Sequence, residues 1–136
     1  MAKRVLVVDD HAATRTLVRA ILEGEKTEKF EVVEATNGLE CLIKYETEGP
    51  FDLILLDINM PEMDGYETCK HLREKGAVLP IIFVTANKDM KDYTAGRGAG
   101  GDSYLVKPVA RAALRSVVNL FTSMGRRPGS NPPSAT

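Results

Sequence analysis

The sequence has little cysteine, little net charge and few histidines. Its 136 residues include two cysteines, Cys41 and Cys69, and neither has another cysteine or a histidine at metal-ligand spacing. We therefore expect two buried free thiols, not a disulfide or a zinc site. The net charge of −1 gives no electrostatic reason to expect a direct nucleic-acid or membrane partner.

Long apolar runs are also missing. In "MAKRVLVVDD" the apolar run is four residues long and then meets two aspartates. Such a run is too short for the core of a signal peptide, and no run reaches the length that spans a membrane. We therefore expect a cytoplasmic protein with one domain.

Two nucleotide-binding motifs are missing from the place where they would act. Neither a GxGxxG motif nor a P-loop stands directly after the first apolar run, which argues against a dinucleotide or nucleotide site of those types. The stretch "DINMPEMDG" is not a calcium loop, because Glu62 stands where such a loop requires glycine.

Short apolar runs alternate instead with helical patterns. The order predicts an α/β fold, (βα)₅, with a doubly wound parallel five-stranded sheet and helices on both faces. The glycine-rich stretch 87–101 predicts a short or mobile fourth helix. The stretch 125–136 is rich in proline, glycine and serine, so we expect a disordered tail, whether native, a shortened linker or a remnant of cloning. The predicted strands are 4–8, 30–35, 52–56, 80–85 and 103–106, and the clearest helices are 12–23 and the stretch around 114–121.

Polar side chains stand at the carboxyl ends of four of the five predicted strands. Asp9 and Asp10 follow the first strand, Asp57 follows the third, Thr85 ends the fourth and Lys107 follows the fifth. In an open α/β sheet, ligands bind at the carboxyl edge, where the strand order reverses. With the strand order 2-1-3-4-5 the three aspartates would converge there.

Three converging carboxylates repel one another. At about 4 Å and an effective dielectric near 20, each like-charge pair costs roughly 4 kcal/mol. One lysine leaves two negative charges uncompensated, which a divalent cation would neutralise. Oxygen ligands of this kind favour Mg²⁺, often completed by a phosphate. Taken singly, each of these residues has an ordinary alternative as a loop residue, a helix cap or a surface charge, and we assign Asp64 to the cap of the third helix.

The segments "VLVVDD", "DLILLDINMPEMDG", "IIFVTA" and "GGDSYLVKP", in this order and spacing, resemble the receiver domain of two-component response regulators. The resemblance extends over about Lys3–Met124, which makes 1–124 the receiver domain and 125–136 a tail. It implies a flavodoxin-like fold and a phosphorylation-dependent signalling switch.

The resemblance also implies residue roles. Asp57 would accept the phosphoryl group, and Thr85 and Lys107 would contact it. Tyr104 matches the aromatic switch position, although it could be an ordinary strand aromatic, and the Lys107–Pro108 bond matches a cis-proline. The ligands of Mg²⁺ would be Asp10, Asp57 and the backbone carbonyl of Asn59, with Asp9 acting through water.

The implied partners are a histidine kinase or phosphotransfer protein and an unknown downstream protein, which would respond to the face of the fourth helix, fifth strand and last helix. Three alternatives stay open. The chain could be the N-terminal receiver of a longer regulator, a non-phosphorylated binding module, or a phosphatase working through an aspartyl-phosphate. The last would need a second acid or base at position 59, where this chain has Asn59.

Overall fold

The five predicted strands form one parallel sheet in the computed structural model, which describes residues 2–86 and 98–124. The strands are β1 (Lys3–Val8), β2 (Phe30–Ala35), β3 (Leu53–Asp57), β4 (Ile81–Thr85) and β5 (Ser103–Val106). Their spatial order is β2-β1-β3-β4-β5, as the sequence predicts, and every neighbouring pair is parallel.

Two of the helices begin at a polar side chain that caps them. Asn37 accepts a hydrogen bond from Glu40 N, and Asp64 and Glu67 form a reciprocal capping box, which confirms the cap assigned to Asp64. The helices of the described residues are α1 (Ala12–Glu23), α2 (Gly38–Thr47), α3 (Gly65–Glu74) and the last helix (Arg111–Met124). None of them has the length and apolarity that crossing a bilayer requires.

Alternate residues of the strands fill two cores, one on each face of the sheet. In β1, Val5 and Val7 face the core that includes Val18 of α1, whereas Leu6 and Val8 face the other core. Every residue of β3 is buried, which confirms that its apolar run lies between two layers of helices. Burying one such aliphatic side chain contributes about 1.5–3 kcal/mol, so β3 is held firmly in the centre.

The prediction for the two cysteines can be checked in the structure, whereas those for the fourth helix and the tail largely cannot. Cys41 and Cys69 are both buried, and neither forms a disulfide within the described residues, as predicted. Most of the predicted fourth helix and the whole predicted tail lie outside the described residues, so both stay predictions. Within the described part, Gly98 and Ala99 are helical, immediately before the loop that leads into β5.

Gly101 is packed against an aromatic ring. A Cβ atom at this position would lie 2.1 Å from Cε2 of Phe83, which is fully buried. The neighbouring Gly100 has φ +102°, a backbone conformation that favours glycine. The two glycines therefore let the chain approach the core closely just before β5.

One arginine closes the amino edge of the sheet. Arg73 donates hydrogen bonds to three carbonyl oxygens, those of Ala77, Leu79 and Gly100. Its guanidinium also lies 3.0 Å from Asp102 Oδ2, and the two side chains are only 13% and 8% exposed. Asp102 Oδ2 in turn accepts a hydrogen bond from Ile81 N, so the end of α3 is tied to the starts of β4 and β5.

Candidate functional site

The predicted convergence of carboxylates occurs at the carboxyl edge of β1 and β3. These strands are neighbours, with Val8 opposite Leu56, so the residues that follow β1 lie beside the end of β3. One ligand atom from each of four side chains falls in a group whose members are all within 4.8 Å of one another: Asp9, Asp10, His11 and Asp57. We call this group the acidic cluster. Its three aspartates were predicted, and His11 was not.

Asp57 is the last residue of β3 and is only 2% exposed. Its Oδ1 is 3.4 Å from Asn59 N, which donates to it, whereas its buried Oδ2 accepts no hydrogen bond within the described residues. Gly65 allows the chain to turn tightly here, since a Cβ at Gly65 would lie 2.4 Å from the Asp57 carbonyl oxygen. The carboxylate is therefore held by rigid backbone while one of its oxygens stays uncommitted.

Asp9 and Asp10 differ in exposure. Asp9 is 1% exposed, and its backbone is fixed by a hydrogen bond from its N–H to Ala35 O and by one from Arg15 to its own carbonyl. Asp10, by contrast, is exposed. The buried aspartate therefore belongs to the framework of the cluster, and Asp10 faces its open side.

Lys107 supplies the positive charge. Its Nζ lies 2.9 Å from Asp9 Oδ2 and 3.5 Å from Asp57 Oδ1. Burial acts to lower the pKa of Lys107, but the ion pairs with Asp9 and Asp57 outweigh this and leave the pKa raised. The lysine is thus held in its charged form beside both carboxylates.

The strands that carry Thr85 and Lys107 are also tied together at this edge. The backbone N–H of Lys107 donates to the carbonyl of Thr85, at 2.7 Å, and Thr85 is the buried last residue of β4. The following Lys107–Pro108 peptide bond is cis, as the resemblance implies. Thr85 thus stands at the same edge as the cluster.

Tyr104 packs inside the molecule on one side. Its hydroxyl lies 3.0 Å from the hydroxyl of Tyr66 on α3, and its ring lies 5.4 Å from that of Phe83. Phe83 also contacts the ring of Tyr66 edge-on, with centroids 5.1 Å apart. The three rings form one contact between α3, β4 and β5.

The surroundings of Asp57 make its carboxyl group a weaker acid than that of an ordinary aspartate. Burial is the main cause, and the charge of Asp9 adds to it, so that the pKa of Asp57 rises to about 6. The charge of Lys107 and the N–H of Asn59 oppose the increase but do not cancel it. The negative charge of an ionised Asp57 is therefore not fully compensated by the positive charge and hydrogen-bond donors of the protein alone.

Known proteins are similar to this chain in sequence and in architecture. The sequence model of the family described as "Response regulator receiver domain" matches residues 5–119. The chain belongs to this family.

Two similar proteins with curated names are regulators of Bacillus subtilis. The alkaline phosphatase synthesis transcriptional regulatory protein PhoP of Bacillus subtilis is 42% identical over 108 residues, which are 79% of this chain and 43% of PhoP. The transcriptional regulatory protein ResD of the same organism is 46% identical over 105 residues, 77% of this chain and 42% of ResD. The receiver domain thus spans less than half of the length of these two relatives.

Among solved structures, the chemotaxis protein CheY4 of Vibrio cholerae matches with a TM-score of 0.82 and 30% identity, covering 89% of this chain and 99% of that one. A CheY-like receiver domain from Methanospirillum hungatei matches with a TM-score of 0.83 and 30% identity, covering 92% and 97%. The flavodoxin-like arrangement of this receiver domain is therefore shared along almost the whole length of both.

The acidic cluster of this receiver domain has the chemistry that Mg²⁺ requires. Its carboxylates are hard oxygen donors, and they outnumber the cations that pair with them. The buried Oδ2 of Asp57, which has no hydrogen-bond donor among the described residues, is an oxygen that a cation would satisfy. The residues therefore fit the ion, with the carboxylates of Asp10 and Asp57 available as donors and Asp9 beside them.

Three features of the site and its surroundings were missed from sequence: His11 in the cluster, the Tyr66 contact of Tyr104, and the Arg73–Asp102 pair. The side chain of His11 is 62% exposed, yet its Nδ1 lies 3.0 Å from Asp9 Oδ1. Its place directly after Asp10 was the one available signal. The other two pairs are separated by 38 and 29 residues and have no local sequence pattern.

Proposed function

We propose that the chain is a phosphorylation-controlled signalling switch and that Asp57 accepts the phosphoryl group from a partner histidine kinase or phosphotransfer protein. The observation that carries the proposal is the buried Asp57 carboxylate, which has one uncommitted oxygen and lies in the acidic cluster beside Lys107. Membership of the receiver family supports the same role.

The transfer of the phosphoryl group to Asp57 does not require a general acid or base that acts on an external substrate. An oxygen of ionised Asp57 attacks phosphorus, a P–O bond forms, and the P–N bond to the donor's histidine breaks. The electron pair of the broken bond returns to the imidazole nitrogen, which takes a proton from water. Lys107, 3.5 Å from Asp57 Oδ1, then lies where charge accumulates on the phosphoryl oxygens.

Mg²⁺ would be held by Asp10, Asp57 and the backbone carbonyl of Asn59, with Asp9 acting through water. The ion supplies charge neutralisation to the acids and to the incoming phosphoryl oxygens. Asp9 is already 2.9 Å from Lys107 through Oδ2, which fits an indirect role for this carboxylate.

The switch would run through Thr85 and Tyr104. Phosphorylation replaces one charge on Asp57 by nearly two, and the hydroxyl of Thr85 would move to donate to the new oxygens. Tyr104 would then leave its contact with the hydroxyl of Tyr66 and repack with β5 and the last helix. A downstream protein would respond to the altered face.

Mass spectrometry tests the acceptor directly. The protein is incubated with acetyl phosphate and Mg²⁺, and its intact mass is measured. We expect one labile phosphoryl adduct that is absent in Asp57→Asn and absent when Mg²⁺ is chelated. Asp52→Asn, an exposed aspartate at the opposite end of β3, is the matched control and should keep the adduct. An adduct in Asp57→Asn, or none in the wild type, would refute the assignment.

A second candidate is that the receiver is one part of a longer transcriptional regulator. Both curated relatives carry that description in their names and extend well beyond the matched region. For the whole protein the expectation of no nucleic-acid partner is therefore without support. Reading the native gene beyond the codon for Thr136 tests this candidate, and a DNA-binding domain in frame would establish it.

We propose a cytoplasmic location and no turnover of external substrates, as is typical of receiver domains. A phosphoryl donor fed by ATP requires the compartment that contains ATP. Steady release of phosphate from a panel of phosphate esters, in excess of one equivalent and dependent on Asp57, would contradict the second part. Fractionation of the source cells tests the first.

A further inference from the structure

The side chain of His11 is turned toward the acidic cluster instead of toward its own helix. His11 is the N-cap residue of α1, but its side chain makes no capping hydrogen bond. Its Nδ1 lies 3.0 Å from Asp9 Oδ1 and 3.1 Å from Asp10 Oδ1. The backbone N–H of His11 also donates to Asp9 Oδ1, at 2.8 Å, which fixes the ring close to the carboxylates.

A hydrogen bond explains this geometry only in part. One Nδ1–H points in one direction and cannot form a full hydrogen bond with two carboxylates at once. A cation in place of that proton would be shared by the nitrogen and both oxygens. Two neighbouring ligand atoms lie about 3.0 Å apart around an octahedral ion with bonds of 2.1 Å. They lie about 3.3 Å apart around a tetrahedral ion with bonds of 2.0 Å. The spacings at His11 match these values.

An independent observation supports a cation at this position. Only 2% of the surface of Asp57 is exposed, and its Oδ2 accepts no hydrogen bond within residues 2–86 and 98–124. The carboxylate belongs to the same group of ligand atoms as His11. A cation there would satisfy the unpaired oxygen and neutralise the acids, and a neutral imidazole would add a ligand without adding charge.

We propose that His11 is a nitrogen ligand in this cluster, so that the site prefers ions that bind imidazole, such as Zn²⁺, Cu²⁺ and Ni²⁺, over Mg²⁺. Mg²⁺ favours oxygen ligands and gains little from an imidazole, whereas the transition-metal ions gain a strong bond. The inference rests on the proposed function only in taking the three aspartates as the metal-binding carboxylates.

The sequence offers a matched control. It contains two histidines, and the second, His71, lies exposed on α3 beside Glu74. His11→Gln and His71→Gln therefore remove the same chemical group from the cluster and from a remote surface. Far-UV circular dichroism of each variant verifies that it is folded.

The first measurement is pulsed electron paramagnetic resonance of the full chain with half an equivalent of Cu²⁺. We expect imidazole nitrogen coupling in the wild type and in His71→Gln, and its loss in His11→Gln. The second is calorimetric titration with Zn²⁺ and with Mg²⁺. Loss of a direct ligand should weaken Zn²⁺ at least tenfold, because even residues that only support a ligand contribute 10–100-fold, while Mg²⁺ affinity should change by less than about threefold.

Three results would overturn the inference: no imidazole coupling in the wild type, coupling that persists in His11→Gln, or equal losses of Zn²⁺ and Mg²⁺ affinity. Phosphorylation by acetyl phosphate with Mg²⁺ is measured on the same samples. An adduct without imidazole coupling refutes the role of His11 alone. Coupling without an adduct refutes Asp57 as acceptor and leaves the nitrogen ligand established.

Discussion

Replacing Asp57 by asparagine should stabilise the metal-free protein at neutral pH. Asparagine has nearly the same shape as a protonated aspartate, and the protein favours the protonated form, because burial and the charge of Asp9 raise the pKa of Asp57 to about 6. The ordinary value is 3.8. A difference of about two units corresponds to about 3 kcal/mol of unfolding free energy.

The sign of the effect follows from the direction of this shift. Folding raises the pKa of this carboxyl group. Its contribution to the unfolding free energy is therefore greatest below its pKa in the unfolded chain, 3.8, and is lost as the pH rises through its pKa in the folded protein, about 6. The wild type should therefore equal Asp57→Asn near pH 3.5 and be less stable by about 3 kcal/mol above pH 7. Saturating Mg²⁺ should reduce the gap, since an ion at 100 times its dissociation constant adds about 2.7 kcal/mol to the form that binds it.

Urea unfolding followed by far-UV circular dichroism measures the gap, which suits a chain without tryptophan. With a slope near 2 kcal/mol per molar urea, the midpoint of Asp57→Asn should lie about 1.5 M above that of the wild type at pH 7.5. Glu62→Gln, an exposed carboxylate in the turn after β3, is the control and should change little. A variant that is no more stable than the wild type at pH 7.5, or a gap that does not close in acid, would refute the argument.

Three further predictions concern the framework. Arg73→Met should lower the unfolding free energy by about 3–5 kcal/mol in urea titrations, because it removes the ion-pair partner of Asp102, whose side chain is only 8% exposed; a loss under 1 kcal/mol would contradict this. Gly101→Ala should destabilise by about 1–3 kcal/mol, because its methyl group would overlap the ring of Phe83. Gly98→Ala should be neutral or slightly stabilising, because an added Cβ would have no atom of the described residues within 4 Å. Cys41, whose thiol pKa burial raises to about 12, should react with a thiol reagent at pH 8 only after unfolding, and rapid modification of the native protein would show that it is accessible.

Much of the fold and the core of the site could be predicted because both follow from local patterns. The apolar run of β3 and the caps Asn37 and Asp64 mark element boundaries within a few residues of sequence. Once parallel strands alternate with helices, their carboxyl ends must share an edge, and Asp9, Asp57 and Lys107 meet there without further information.

The remainder depends on tertiary contacts that have no local signal. The hydroxyls of Tyr66 and Tyr104 meet because the fold brings α3 close to β5. The sequence around either tyrosine contains no pattern that indicates this contact. The ring of His11 could not be oriented from sequence, because a histidine that follows two aspartates can point to solvent, cap its helix or face the acids. Side-chain direction at a helix start is decided by packing and charge together.

Arg73 has a consequence for how movement could spread through the molecule. It fixes Gly100 and Asp102 at the amino edge of the sheet, whereas Thr85 stands at the carboxyl edge beside the acidic cluster. β4 and β5 therefore run from an edge that Arg73 anchors to the edge that carries the acidic cluster. A displacement that begins at Thr85 would act on a pair of strands that is held fixed at its other end. Loosening Arg73 would release that fixed end without changing any residue of the acidic cluster.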